Sequence, residues 1–278
     1  MKKFWRSANI RLKSGMIITA FFFFLGFVVY YIPHVNPFTY NTYPSKLGPS
    51  LKHWLGTTSM GQDVFWLLIE AIHNSLLIGL IVACIGTVVG VFVGLLAGFS
   101  GGVLDRVLTV ITDTFIVIPS LPILVLMTSL MKGSTTVILM ALVLGMFAWA
   151  WPSRQIRSLA LSLKERDFIH TAWFSGESTI QVVVTEIFPY ALTWSLSNFM
   201  NATLAAIASE SSLAVLGLSP ANMISLGNMI QWARERNAIF ARQWFWIGSP
   251  IVATVLLFIG LFLLITGYND YLSMKRGK

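Results

Sequence analysis

The run Ser75–Phe99 contains no charged side chain. As a helix, at about 1.5 Å per residue, it exceeds the roughly 30 Å hydrocarbon core of a bilayer. Its glycines at positions 79, 86, 90, 94 and 98 include the ladder Gly86-x3-Gly90-x3-Gly94-x3-Gly98. Steps of four place small residues on one helical face, where a neighbouring helix can approach closely. A soluble domain carries roughly a quarter charged residues. This chain of 278 residues carries 11% and is 56% hydrophobic, so it reads as an all-α integral membrane protein.

Further apolar runs follow the same logic. Gly15–Ile32, with phenylalanine at positions 21 to 24, reads as a retained first helix, because no Ala-x-Ala-like cleavage site follows it. Pro33 to Gln62 is polar and rich in proline and glycine, too irregular to span. Then come Val107–Met131, which Pro119 and Pro122 are expected to kink, and Gly133–Ser153, Ile187–Ser209 and Gln243–Asn269. Six spans put both termini on one side. Arg11, Lys13, Arg106, Arg154, Arg157, Lys164, Arg166 and the ends (Lys2, Lys3, Arg6, Lys275, Arg276, Lys278) hold the larger share of the 19 lysines and arginines. Lys46, Lys52, Lys132, Arg234, Arg236 and Arg242 hold the smaller. The positive-inside bias makes the termini cytoplasmic, and it accounts for the net charge of +8 without nucleic acid. The single Cys84 has no partner and reads as a small packing residue.

One long polar segment, 154–188, interrupts the second half on that same cytoplasmic face. It has room for two short helices. Leu159, Leu161 and Leu163 tie its start to the interface. Phe168, Ala172 and Gly176 recur every four residues and share a face, where small residues leave room for another surface. Gly176 can end the first helix at positive φ, and Ser178 caps a second that runs to Pro189.

The spacing Ala172-x3-Gly176-x12-Pro189, with Phe188 before the proline, resembles the cytoplasmic signature of binding-protein-dependent ABC importer permeases. That family has Glu-Ala-Ala where this chain has His170-Thr171-Ala172. Arg154-x2-Arg157 and Leu163-Lys-Glu-Arg-Asp-Phe168 are similar to the peptide/nickel branch. So are Leu55-Gly56-Thr57-Thr58-Ser59-Met60-Gly61-Gln62-Asp63, where Thr58 and Gln62 replace a charged pair, and the outer-loop pattern Glu210-x2-Leu213-x2-Leu216-Gly217-Leu218. Asp105-Arg106, Asp113 and Pro119 fall at the family's spacing, whereas Asn269-Asp270-Tyr271 departs from its Asp-Pro tail. Length and a short N-terminus resemble the second (C-type) of its two unlike permease subunits.

The resemblance implies a type I importer permease of six transmembrane helices in a prokaryotic cell membrane. Residues 1–71 would form a cytoplasmic stub, first span and outer loop, and residues 72–278 the core. Glu165, Asp167, Phe168, His170, Thr171, Ala172, Gly176 and Pro189 would couple the chain to a cytoplasmic ATPase. Implied partners are a second permease in a heterodimer, one or two ATPase subunits and an extracytoplasmic solute-binding protein. ATP and magnesium would sit on the ATPase subunits. The chain itself has no Gly-x4-Gly-Lys-Ser/Thr segment, and His34, His53, His73 and His170 show no metal-ligand spacing. It is therefore read as neither an enzyme nor a cofactor carrier. The branch handles peptides, nickel and, in some members, oligosaccharides; abundant aromatics and the neutral Thr58 and Gln62 favour a neutral solute such as an oligosaccharide.

Single residues have plainer readings beside these. Asp113, an acid inside a span, is a pathway candidate or a structural partner of Arg106 on the same face. Asn198 and Asn201 border the pathway or glue helices together. Glu210 shapes a gate or caps a helix. The ten tryptophans cluster near the interfaces, as an aromatic belt does. Two rival functions stand against the importer. A Ser175–His170 hydrolase dyad fails because residues five apart leave a common helical face. A secondary transporter would need no ATPase, but it leaves the polar segment unexplained.

Overall fold

A computed structural model describes residues 9–130, 136–219 and 223–276. Lys2, Lys3, Arg6, Lys132 and Lys278, counted in the charge bias, lie outside them, as do Met131 and Gly133, the expected edges of two spans. Among the described residues the chain is helical, and the one β feature is an isolated antiparallel bridge between Thr57 and Asp63. The helices are α1 (Ile10–Phe27), α2 (Val64–Ser100), α3 (Gly102–Val117), α4 (Ser120–Leu130), α5 (Val137–Ala148) and α6 (Ala150–Lys164). They continue as α7 (Asp167–Phe174), α8 (Thr179–Val182), α9 (Phe188–Val215), α10 (Leu226–Glu235) and α11 (Trp244–Arg276).

The helices sort into two compact units, Met1–Leu80 with Val125–Met140 and Thr203–Lys278, and Ile81–Leu124 with Ala141–Ala202. In the first unit, α1 lies along α11 with glycine at each close approach. A Cβ added at Gly260 would lie 2.7 Å from Ile18 Cγ2, and one at Gly15 would lie 2.8 Å from the Leu263 backbone carbon. With no hydrophobic drive between helices in lipid, such backbone proximity supplies the dispersion contact that holds them. Phe22, Ile72, Leu76, Ile207, Met229, Trp246 and Leu257 fill the core. The polar stretch before α2 is irregular, as expected, but well pinned. Asn41 and Tyr43 N–H donate to the Met60 and Gly61 carbonyls, and Lys46 N–H to that of Thr58.

In the second unit the glycine ladder packs as its spacing predicts. The first turns of α6 and the residues just before them lie against it, with Ala148 at Gly86, Pro152 at Gly90, Ser153 and Ile156 at Gly94, and Ala160 at Gly98. The expected proline kink is also present. Ile118 takes an extended conformation (φ −62°, ψ 124°) because Pro119 disfavours the helical region for the residue before it. The chain bends there by 77° before α4, whose first turn accommodates Pro122.

Among the described residues three helical stretches are long and apolar enough to cross a membrane, Ile10–Tyr31, Val64–Ser100 and Trp244–Met274. Counting each bent pair as one span, Gly102–Val117 with Ser120–Leu130 and Val137–Ala148 with Ala150–Lys164, gives up to five. The remaining expected span lies in α9, which carries Ser195, Asn198, Asn201 and Glu210 and is not among these five. One expectation is corrected. The polar segment does not leave the helix at Arg154; α6 continues to Lys164.

Candidate functional site

The segment after α6 is built from local signals. Arg166 is extended (φ −86°, ψ 143°) and opens α7, with Asp167 in its first turn where the helix dipole favours an acid. At the other end Gly176 takes φ +89°, donating its N–H to the Trp173 carbonyl while Glu177 N–H reaches that of Ala172. These two bonds make a Schellman ending, in which glycine adopts a left-handed conformation costly for other residues. Ser178 then caps α8 in a reciprocal box. Its hydroxyl accepts from Gln181 N–H, and its own N–H donates to Gln181 Oε1 at 2.8 Å. The second helix does not end at Pro189 as expected. It passes through a π-helical turn, Val183–Ile187, straight into α9, where Pro189 is the second residue; proline has no N–H to bond the preceding turn, and the irregular turn falls just before it.

This segment has a buried side and an open side. Leu163, Ile169, Ala172, Val182 and Ile187 form a small core with Leu95 and Phe99 of α2 and with Leu159 and Trp173. Lys164 Nζ lies 5.6 Å over the Phe99 ring. Ala172 therefore faces the chain's own core, and its small side chain seats α7 closely on it. Leu163 is buried in this core, and Leu161 lies on the outside. On the open side lie Glu165, Asp167, Phe168, His170, Thr171, Gly176 and Pro189. The most exposed apolar side chain there is Phe174 at 92%, which no sequence motif marks; Ile180 is 77% exposed. Nothing approaches within 4 Å of where a Cβ on Gly176 would sit. An apolar, carboxylate-edged surface on a rigid short helix is suited to docking a soluble partner.

The four candidate pathway residues each have hydrogen-bond or ion-pair partners of their own. Asp113 pairs with Arg154 of α6, at 3.6 Å, and not with Arg106. The tight pair is the one that helical spacing missed. Arg157 Nε and Nη2 donate to Asp105 Oδ1 and Oδ2 at 2.6 and 2.8 Å, locking α6 to α3. Arg157→Gln should lower the thermal midpoint in detergent, at a cost of about 1–3 kcal/mol, since it strips a two-pronged charged bond and leaves Asp105 without it. Asn198 Nδ2 donates to Thr87 Oγ1 at 3.1 Å, a bond from α9 to α2; Asn201 bonds its own helix, at the Ser197 carbonyl. Glu210 is fully buried. Its Oε1 accepts from Ser225 Oγ at 2.6 Å and Ser219 Oγ at 3.3 Å, so it joins Ser219, just after α9, to Ser225, the residue that caps α10.

Thr58 and Gln62, whose neutrality favoured a sugar, are buried in the loop before α2. Gln62 Nε2 donates to the Pro37 carbonyl at 2.6 Å. Their neutrality suits this local network and carries no information about a transported solute.

Comparison with known proteins gives these features a setting. Residues 90–278 match the family model described as binding-protein-dependent transport system inner membrane component. The chain is similar to the oligopeptide transport system permease protein OppC of Mycobacterium tuberculosis, with 30% identity covering 96% of this chain and 94% of the relative. It is 26% identical to OppC of Lactococcus lactis, over 90% and 87% of the two chains. The nickel transport system permease protein NikC of Escherichia coli is 28% identical, over 77% and 78%. Among solved structures, an inward-facing MetNI methionine ABC transporter shares the fold, with a TM-score of 0.55 at 19% identity, covering 75% of this chain and 96% of that one.

Proposed function

The chain belongs to the family of binding-protein-dependent transport system inner membrane components, and from that premise we propose that it is one permease subunit of an ATP-driven importer. The observation that carries the reading is the two-sided 154–188 segment, a short capped helix fixed on the core by one face and open on the other. In this reading the open face of α7, with Glu165, Asp167, Phe168, His170, Thr171 and Phe174, docks on a cytoplasmic ATPase, which alone binds ATP and magnesium. Closure of two nucleotide-loaded ATPases moves α7 as a body. The Leu163–Ile169–Val182–Ile187 core passes that movement to α2 and α9, and the pathway reopens on the other side. This is an equilibrium between access states that nucleotide and a loaded binding protein both bias.

The full assembly would comprise a second, unlike permease, one or two ATPases and an extracytoplasmic solute-binding protein. Residues 72–278 would form the permease core, with six spans and both termini cytoplasmic in a prokaryotic cell membrane. The substrate class best supported is short oligopeptides, with nickel second, by likeness to OppC and NikC. Nothing in these relatives or in the buried Thr58 and Gln62 supports an oligosaccharide. The test is uptake of labelled tri- to pentapeptides and of nickel by cells with and without this chain. Loss of peptide uptake, restored by the chain only while ATP is present, is the expected result. Nickel uptake alone would reassign the substrate, and uptake driven by an ion gradient without ATP would replace the importer with a secondary transporter.

A further inference from the structure

A second feature of the Ile81–Leu124 and Ala141–Ala202 unit lies outside the open face of α7. Between α3 and α6 lies a cavity of about 120 Å³ lined by Thr109, Thr112, Asp113, Ser153, Arg154 and Arg157, with Ala97 closing it from α2. One water needs about 10–15 Å³ by this measure, so the space holds a group of several oxygen atoms. Two arginines, three hydroxyl-bearing residues and one acid, Asp113, line it, and the Thr109 hydroxyl already donates to Asp105 Oδ1 at 3.1 Å.

The two arginines are held differently. Arg157 is fixed by its two-pronged bond to Asp105, which engages two of its five N–H groups and leaves others to donate. Arg154 has only Asp113, at 3.6 Å, beyond hydrogen-bond distance, and both side chains are about half exposed, 55% and 46%. A pair that long and that wet is weak, so Arg154 can turn to a better acceptor at little cost. Of the residues lining the cavity, Arg154 and Arg157 are cationic and only Asp113 is acidic. A metal cation would meet two guanidiniums, whereas a tetrahedral oxyanion would meet a planar fork and hydroxyl donors matched to its oxygens. Basic pockets between spans near a membrane face hold lipid headgroups in this manner.

We propose that this cavity binds a phosphate-bearing anion, with Arg154 as the mobile ligand, Arg157, Thr112 and Ser153 as the fixed ones, and Asp113 as the counter-ion that Arg154 leaves when the anion enters. The anion is either the headgroup of an anionic phospholipid or a free phosphate.

The test uses the full-length chain in neutral detergent. Native mass spectrometry counts retained phosphatidylglycerol against phosphatidylcholine, and calorimetry titrates inorganic phosphate. Selective retention of phosphatidylglycerol is expected, and Arg154→Gln should weaken it about tenfold or more. Asp113→Asn should do the reverse and strengthen binding, because the competing counter-ion is gone. A purely structural ion pair would give no such opposition of sign. Should Arg154→Gln fail to fold, Thr112→Val removes one lining hydroxyl at constant shape and should also weaken binding. Retention of phosphatidylglycerol without phosphate binding identifies the lipid headgroup as the source; binding of inorganic phosphate identifies a free phosphate. Binding of neither probe, or binding that does not rise in Asp113→Asn, overturns the proposal.

Discussion

Gly94→Leu should abolish recovery of folded protein. A Cβ at position 94 would lie 2.6 Å from the Ser153 carbonyl oxygen and 2.8 Å from Ile156 Cβ, and the first of these is backbone that cannot rotate away. To admit even the first carbon of leucine, α2 and α6 must separate. That would forfeit the packing along the whole ladder from Gly86 to Gly98. Overpacking a core costs about 1–3 kcal/mol when side chains can yield, and here they cannot. Gly248→Ala on α11 is the matched control. Nothing lies within 4 Å of its Cβ position, so alanine there should raise stability by about 0.5–1 kcal/mol through helix propensity. Size-exclusion profiles and thermal melts of the two variants check both signs. A monodisperse Gly94→Leu protein with an unchanged midpoint would refute the packing described here.

The second large effect separates docking from folding within one short helix. Phe174 is 92% exposed while Ile169 is fully buried, five residues away. Phe174→Asp should leave the chain folded, within about 0.5 kcal/mol, as surface substitutions do, yet remove the stimulation of a partner ATPase by placing a charge at the most exposed apolar side chain of the proposed docking face. Ile169→Asp should instead cost more than about 3 kcal/mol, since it buries a carboxylate without a partner in the Leu163–Val182–Ile187 core. Limited proteolysis distinguishes them: new cleavage in the 154–188 segment is expected for Ile169→Asp and not for Phe174→Asp. Equal proteolysis of both would mean that the exposed face is part of the fold.

The contrast between the two residues also shows what the sequence could disclose. The glycine ladder was legible because a step of four repeats on one helical face whatever lies opposite it. Gly176 and Ser178 were legible because a helix ending and a helix cap are local chemistry. The continuation of α6 to Lys164 was not, since polarity marks where a helix meets water and not where it stops. The π turn at Val183–Ile187 has no residue signature of its own. For Asp113, read as a pathway acid or a partner of Arg106, helical spacing offers only partners on the same helix; Arg154, on another helix, is a matter of packing. The same holds for Arg157 with Asp105. Ala172 was placed on the right helix, but spacing alone cannot say whether a shared face looks inward or outward. Thr58 and Gln62 misled for a related reason, because loss of charge in a sequence looks alike whether the residue lines a pathway or is buried in a loop.

The central claim, that the open face of α7 engages a separate ATPase, is tested most directly by affinity purification of this chain from its native membrane. Bound proteins would be identified and ATPase activity assayed, beside the Phe174→Asp variant. The account predicts that an ATPase and a second permease accompany the natural chain, and that the variant keeps the permease but loses the ATPase or its activity. A chain that purifies without any ATPase, or one that retains a fully active ATPase in the Phe174→Asp variant, would contradict it.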